Sequence, residues 1–304
     1  MNGVLLVDKP SGMTSHDVVN RIRKAAGLRK VGHTGTLDPA ATGLLLICLG
    51  AATRLSEYLT GMDKEYMGTL KLGLTTDSYD SDGTILEESD VPELSEKELS
   101  GLLAPYTGTI EQIPPMVSAV KVGGKRLYTL ARKGEVVERP TREVTVSRFE
   151  ILEWDSPLAT FVVQCTTGTY VRSLCHDIGQ DIGCGAILAS LRRTVVGSHH
   201  VDDAIPLDDL KNPGNVEERL LSMGSVLSMP SVTVTPQGHR MVLSGNQINP
   251  NQLTEDAPEE QGLVQIKSRS GELLALADLE HRSTGTWIQP RKVFAQATES
   301  RAND

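Results

Sequence analysis

Apolar and polar positions along this chain follow two periods, and each predicts a different kind of element. Residues 3–7 (GVLLV) and 44–48 (LLLIC) are continuous apolar runs, too short for helices but long enough for strands buried in a core. Residues 64–73 (KEYMGTLKLG) alternate instead, as a half-buried strand does. Between the first two runs the period lengthens. Val18, Val19, Ile22 and Ala25 share one face of a helix that Ser15 caps, that runs through Ala26, and that Gly27 closes. ATRLSEYL (52–59) reads as a short helix, and SEKELSGLLA (95–104) as another whose Ser95 and Glu98 form a capping box.

Further along, strands are expected at 143–153 and 159–166, and helices at 169–182 and 216–228. From about residue 232 the texture changes to short, turn-separated β pieces, including GLVQIKS and GELLALADL. This predicts a small C-terminal β domain and divides the chain into 1–231 and 232–304. The acidic segment 77–93 reads as a loop. Its DSDG is not a calcium loop, because an EF-hand with its glycine at Gly83 needs Asp at 78 and Glu at 89, and both are serine. Strands and helices without regular alternation predict the α+β class.

Composition adds limits. At 304 residues there is room for one large or two modest domains, and residues 1–231 are enough to bury a core of their own. Aromatics make up only 4%, so that core is aliphatic. The opening MNGVLLVDKPSG meets a charged turn after four apolar residues, which suits neither a signal peptide nor an anchor. No apolar run nears the ~20 residues of a membrane span. Cys48, Cys165, Cys175 and Cys184 show no C-x-x-C spacing, and His176 beside Cys175 has no partner at metal-ligand spacing. They read as reduced thiols of a cytoplasmic protein without a zinc site.

The net charge of −9 argues at first against a polyanionic partner. The acid is segregated, however. Residues 76–105 carry one Lys or Arg against nine Asp or Glu, and residues 201–304 carry nine against fifteen. Residues 1–75 carry nine against six, and the stretch 121–148 alone has eight basic and three acidic residues. Local potential steers a nucleic acid more than total charge does, so a basic face at 121–148 stays open beside the plainer reading of a solvated surface.

Candidate chemistry centres on GHTGTLDPAATG (32–43), where three glycines surround a single carboxylate, Asp38. Gly, Asp and Pro are ordinary turn residues. The same composition also suits a backbone shaped to hold a reactive group against a bulky ligand. Four further stretches bear on the choice: KPSGMTSHD (9–17), DKEYMGTLKLG (63–73), IPPMVSAVKVGGKRLY (113–128) and GTYVRSLCHDIG (168–179). Together the five resemble the tRNA pseudouridine synthase B (TruB) family, over about residues 3 to 200. The C-terminal region resembles that family's PUA-like RNA-binding module more loosely, by position and β texture.

The resemblance implies a pseudouridine-synthase fold: a central mixed, largely antiparallel sheet flanked by helices and loops, with the small β domain appended. It implies isomerisation of uridine 55 in the tRNA T arm, with no cofactor or metal. Asp38 matches the family's essential aspartate. Small residues around it would let backbone lie against the extruded nucleotide. Tyr66 matches the tyrosine that stacks on the target base and is a candidate for handling the C5 proton. Arg172 matches the arginine that pairs with the aspartate, which would keep Asp38 ionised and oriented. Tyr170 would wall the uracil pocket, Leu191 would close it, and His33 would help to prise open the T loop. Lys9 and Pro10 would support the catalytic loop. Lys125 and Arg126, in the basic stretch, would meet phosphates. In the C-terminal region Lys267, Arg269, Arg282, Arg291 and Lys292 are available for a modest RNA contact, although its acidic balance makes it a poor clamp.

The chain begins almost at KPSG, without the extension of guide-dependent relatives, which suits a bacterial-type monomer that recognises tRNA without a guide RNA or membrane. Two other functions use some of the same features. A tRNA-binding folding factor needs the basic face but not Asp38, Tyr66 and Arg172 together. A glycosidase or uracil-excising enzyme normally needs a second carboxylate or a positioned water.

Overall fold

A computed structural model describes residues 1–118, 120–127, 137–283 and 285–294, with the side chains of Lys121, Val122, Lys125 and Arg126 outside the described set. The largest sheet has ten strands, in the order β14-β1-β3-β12-β4-β11-β10-β7, with β2 added beside β3 and β13 beside β12. Its strands are β1 (Gly3–Lys9), β2 (Val31–Thr34), β3 (Thr42–Leu49), β4 (Lys64–Leu72), β7 (Gly108–Gln112), β10 (Arg142–Asp155), β11 (Leu158–Cys165), β12 (Ala186–Val196), β13 (His199–His200) and β14 (Ile205–Pro206). Only the pairs β1·β14 and β3·β12 are parallel, so the sheet is mixed and largely antiparallel. Two small hairpins hang from it, β5 (Leu74–Thr76) with β6 (Ile85–Glu88), and β8 (Lys121–Val122) with β9 (Lys125–Arg126).

The two apolar runs become β1 and β3, and they are covered on both faces. Leu5, Val7, Leu45, Ile47 and Leu49 pack against helix α1 (Ser15–Ala26) through Val18, Val19 and Ile22. Val4, Leu6, Leu44, Leu46 and Cys48 face the other way, toward Leu273, Leu276 and Phe294. Leu273 and Leu276 belong to the C-terminal sheet β15-β16-β17-β18, formed by Ser231–Thr233, Gly262–Lys267, Leu273–Arg282 and Gly285–Val293, and Phe294 directly follows its last strand. Its own core holds Val232, Val264, Ile266, Leu274, Ala275 and Ala277, so β17 supplies side chains to both that core and the seam. One apolar cluster thus joins the two parts of the chain. At its rim the Arg54 guanidinium lies 5.4 Å from the Phe294 ring centroid, and Lys292 Nζ donates to Arg54 O at 3.0 Å and pairs with Glu57.

The remaining α-helices among the described residues are α2 (Ser56–Thr60), α3 (Glu96–Gly101), α4 (Val171–Ile182), α5 (Pro213–Glu218) and α6 (Pro236–Leu243). Several expectations need correction. The cap of α1 is Thr14, in a reciprocal box with Asp17, because Ser15 turns inward to Leu37. The 77–93 segment is not all loop, since β6 pairs with β5. The helix expected at 216–228 stops at Glu218. Past it, Leu221 exchanges backbone bonds with Val4 at 2.9 and 3.0 Å, and those groups cannot also serve a helix. No helix among the described residues is long and apolar enough to cross a membrane.

Candidate active site

The segment after β1 holds the Asp38 loop from beneath. Lys9, fully buried, donates from Nζ to Ala41 O at 2.7 Å, Pro10 O at 2.9 Å and Pro39 O at 3.1 Å. Gly12 N donates to Pro39 O, and Ser11 Oγ to Ala40 O. Ser15 Oγ donates to Leu37 O at 3.1 Å and accepts from Leu37 N at 2.9 Å, next to Asp38 itself. A buried ammonium satisfied by three carbonyls anchors the loop without neutralising the carboxylate it carries.

Two of the loop's glycines also pack against protein, and one of them, Gly35, lines the pocket as well. A Cβ on Gly43 (φ +100°) would lie 2.3 Å from Arg193 O, and one on Gly35 (φ +86°) would lie 3.4 Å from the Arg193 guanidinium. The glycines let β3 and the loop close on β12.

Asp38 looks into a pocket of about 280 Å³, lined also by Tyr66, Tyr170, Arg172 and Leu191. Five of the residues singled out from the sequence therefore meet in one place. Arg172, at the start of α4, is 5% exposed and spends its guanidinium on four acceptors. Nε meets Asp38 Oδ2 at 3.1 Å, Nη1 meets Asp80 Oδ2 at 3.1 Å and Ser78 O at 3.0 Å, and Nη2 meets Val117 O at 3.0 Å. Tyr170 caps the same helix in extended backbone, and Gln112 fixes it by accepting from Tyr170 N at 2.7 Å and donating to Tyr170 O at 2.9 Å.

The electrostatics differ from the expectation in one respect. The carboxyl of Asp38 sits above the ordinary aspartate value, because burial disfavours its charge and Asp80 and Asp82 add repulsion. Arg172 and Lys9 oppose that rise without cancelling it. The ion pair orients the carboxylate and leaves it more basic than a surface aspartate.

Asp80, Lys64 and Arg193 are site residues that the sequence reading missed. Asp80 hides in the acidic segment. Its Oδ1 accepts from Ser78 Oγ and from Asp82 N at 3.1 Å, which turns Oδ2 toward Arg172. Lys64 and Arg193 line the pocket and are buried. Arg193 donates to Leu44 O at 2.7 Å and Gly35 O at 3.1 Å, and pairs across strands with Tyr66. Burial and Arg193 lower Lys64 to about 8, while burial pushes the Tyr66 hydroxyl up. The two-residue spacing of Lys64 and Tyr66 within DKEY, which puts both on one face of β4, was the available signal for the first.

His33 is brought to β2, opposite Ile47, and is not among the residues lining this pocket. Its Nδ1 is buried without a partner, and burial lowers its pKa. Lys125 and Arg126 sit on a hairpin beyond Ser118, another pocket residue; their side chains lie outside the described residues, as do Arg132 and Lys133 of the basic stretch. Val120 and Leu127 of this segment pack with Tyr170, which fastens it beside the pocket.

A mixed sheet of this order, with an arginine-held aspartate beside a buried tyrosine in its pocket, is the fold of a pseudouridine synthase. The chain belongs to the TruB family. The model of the TruB family pseudouridylate synthase N-terminal domain matches residues 23–171, and that of the tRNA pseudouridylate synthase B C-terminal domain matches residues 172–225. The protein named tRNA pseudouridine synthase B of Thermobifida fusca is 42% identical over 302 residues, 97% of this chain and 99% of that one. The one from Opitutus terrae is 50% identical over 211 residues, 69% of this chain and 88% of its own. Among solved structures, a chain of a Cbf5-Nop10-Gar1 complex superposes with a TM-score of 0.73 at 29% identity, covering 97% of this chain and 85% of its own.

Proposed function

We propose that this protein isomerises uridine 55 in the T arm of tRNA to pseudouridine, with Asp38 as the essential group. The observation that carries this reading is the Asp38 carboxylate, 44% exposed into a base-sized pocket and aimed by the Arg172 Nε at 3.1 Å. The uridine is extruded from the RNA stack, at a cost of a few kcal/mol, so that C1′ comes to the carboxylate. The N1–C1′ bond breaks, the uracil turns, and C5 joins C1′. The proton on C5 is lost and N1 gains one, so the product is an isomer of the substrate. Attack on C1′ and stabilisation of its developing charge need a carboxylate facing that carbon, and removal of the C2′ proton needs one within reach of its neighbour. Its raised pKa suits all three.

Tyr66 lies where its ring can stack on the base and its buried hydroxyl can relay the C5 proton, while Tyr170 and Leu191 flank the base. His33 at the loop's approach helps to open the T loop. Lys125 and Arg126 meet phosphates from the hairpin beside Tyr170. Residues 232–304 contribute little to phosphate binding. Arg282 and Arg291 are paired with Glu280 and Asp278, and Lys292 with Glu57. The protein works as a cytoplasmic monomer without guide RNA.

The test is incubation of full-length protein with an unmodified tRNA transcript, then digestion and nucleoside analysis. Pseudouridine at position 55 alone is expected. Free uracil would assign a base-excising enzyme instead, and unchanged RNA a tRNA-binding folding factor.

A further inference from the structure

The turn that holds Arg172 contains an unexplained side chain. Tyr79 stands at φ +66°, the one non-glycine residue in the left-handed region among the described residues. Such a conformation is costly for a bulky side chain and natural for glycine, so a tyrosine kept there has a use for its ring. That ring lies face to face with the His176 imidazole, 3.8 Å between centroids and 10° between planes. His176 is on α4, one helical turn beyond Arg172, and so on the same face. Its Nδ1 is buried with no hydrogen-bond partner, so the ring stack is its contact at that edge of the helix.

The backbone on either side of Tyr79 does the holding. Ser78 O and Asp80 Oδ2 both take Arg172 Nη1, and they flank Tyr79 in sequence. Tyr79 O accepts from Leu188 N at 3.0 Å and Ser81 N donates to Leu188 O at 3.2 Å, which ties the turn to β12. Those bonds fix the turn's distance from the sheet. They do not fix it against α4, where the guanidinium originates.

We propose that the Tyr79–His176 stack is a positioning device for Arg172: it clamps the 76–83 turn against α4, and so sets where Nε presents itself to Asp38. The inference rests on the reading that Asp38 does the chemistry. Tyr79 and His176 touch neither substrate nor reacting atoms. They act through Arg172, and their loss is felt in the rate of conversion and not in tRNA affinity.

The experiment is single-turnover conversion of an unmodified tRNA transcript by the full-length protein, with tRNA Kd measured in parallel. Tyr79→Gly relieves the backbone and removes the ring. It should slow the chemical step at least tenfold while Kd changes less than twofold. Tyr79→Phe keeps the stack and should run within about threefold of the parent. His176→Phe should likewise outrun His176→Ala by at least fivefold, and Tyr79→Gly combined with His176→Ala should be no slower than the worse single variant. A Tyr79→Gly protein at the parent rate would overturn the proposal, because strain and not stacking would then be the residue's only effect. Equal rates for His176→Phe and His176→Ala, or single losses that multiply in the double variant, would overturn it as well. Asp38→Asn run alongside separates the two claims. If that variant converts tRNA, the functional reading fails; if it is inactive while Tyr79→Gly is fully active, only the stack's role does.

Discussion

The Asp38 pocket and the seam between the two sheets are both built on β1 to β3, and they are opposites. At the seam Val4, Leu6, Leu44 and Leu46 meet Leu276 and Phe294, and most of these are fully buried. Every contact there favours folding. Around the pocket, Lys9, Lys64, Arg172 and Arg193 are all 5% exposed or less, and Arg172 is paired with Asp38 and Asp80. Burial disfavours the charged forms of Asp38, Lys9 and Lys64. Apolar packing is concentrated in one region and buried charge in the other, and the second depends on the first to tolerate its charges.

The largest effect that sharpens this contrast is Asp38→Asn. We expect product formation to fall at least about a thousandfold, roughly 4 kcal/mol at the transition state, with tRNA binding retained. The thermal midpoint should hold or rise slightly, since a neutral amide escapes the cost of burying charge. Residual turnover near the parent's, or a collapse of the midpoint, would erase the division between the regions.

Leu276→Ala probes the other side. Its side chain is fully buried in the shared cluster, so its truncation should cost about 2–5 kcal/mol of stability. Calorimetry checks this, and turnover below the lowered midpoint should match the parent's. The same cluster means that a chain ending near Ser231 would bare Val4, Leu6, Leu44 and Leu46. Calorimetric neutrality of Leu276→Ala would show that the seam is dispensable.

The smallest effect concerns Asp177, on α4 but away from Asp38. Burial, with repulsion from Asp181, raises it from 3.8 to about 6. A carboxyl raised on folding holds its proton longer in the native state, so stability falls as pH climbs from near 4 to about 6 and stays lower above. Asp177→Asn should therefore add about 1–2 kcal/mol at pH 7 and nothing at pH 3.5, with turnover unaltered. A gain that is equal at both pH values would assign the effect to something other than the buried charge.

Much of this molecule was legible in its residues. Runs such as GVLLV and LLLIC read as strands covered on both faces, because four or five consecutive apolar side chains point both ways from an extended backbone. The charged and small residues around Asp38, read together with TYVR and DKEY, marked the pocket. Strand β12 escaped notice although it lies at the centre of the sheet. Its pairing with β4 shifts register between Leu188 and Ser190 and again between Arg193 and Val195, and each irregularity breaks the alternation that identifies a strand. With β12 unread, nothing in the sequence marked Arg193 as buried.

Sequence alone determined which segments bury both faces, and it singled out the aspartate and the arginine that meet in the pocket. Only the tertiary structure decided what covers β1 and β3, α1 on one side and the C-terminal sheet on the other, because a hydrophobic face is satisfied by any apolar partner of suitable shape. It alone decided that Arg172 is held by Asp80, Ser78 O and Val117 O. Two of those three acceptors are backbone carbonyls, 94 and 55 residues away, and a carbonyl is the same group whatever the side chain that follows it.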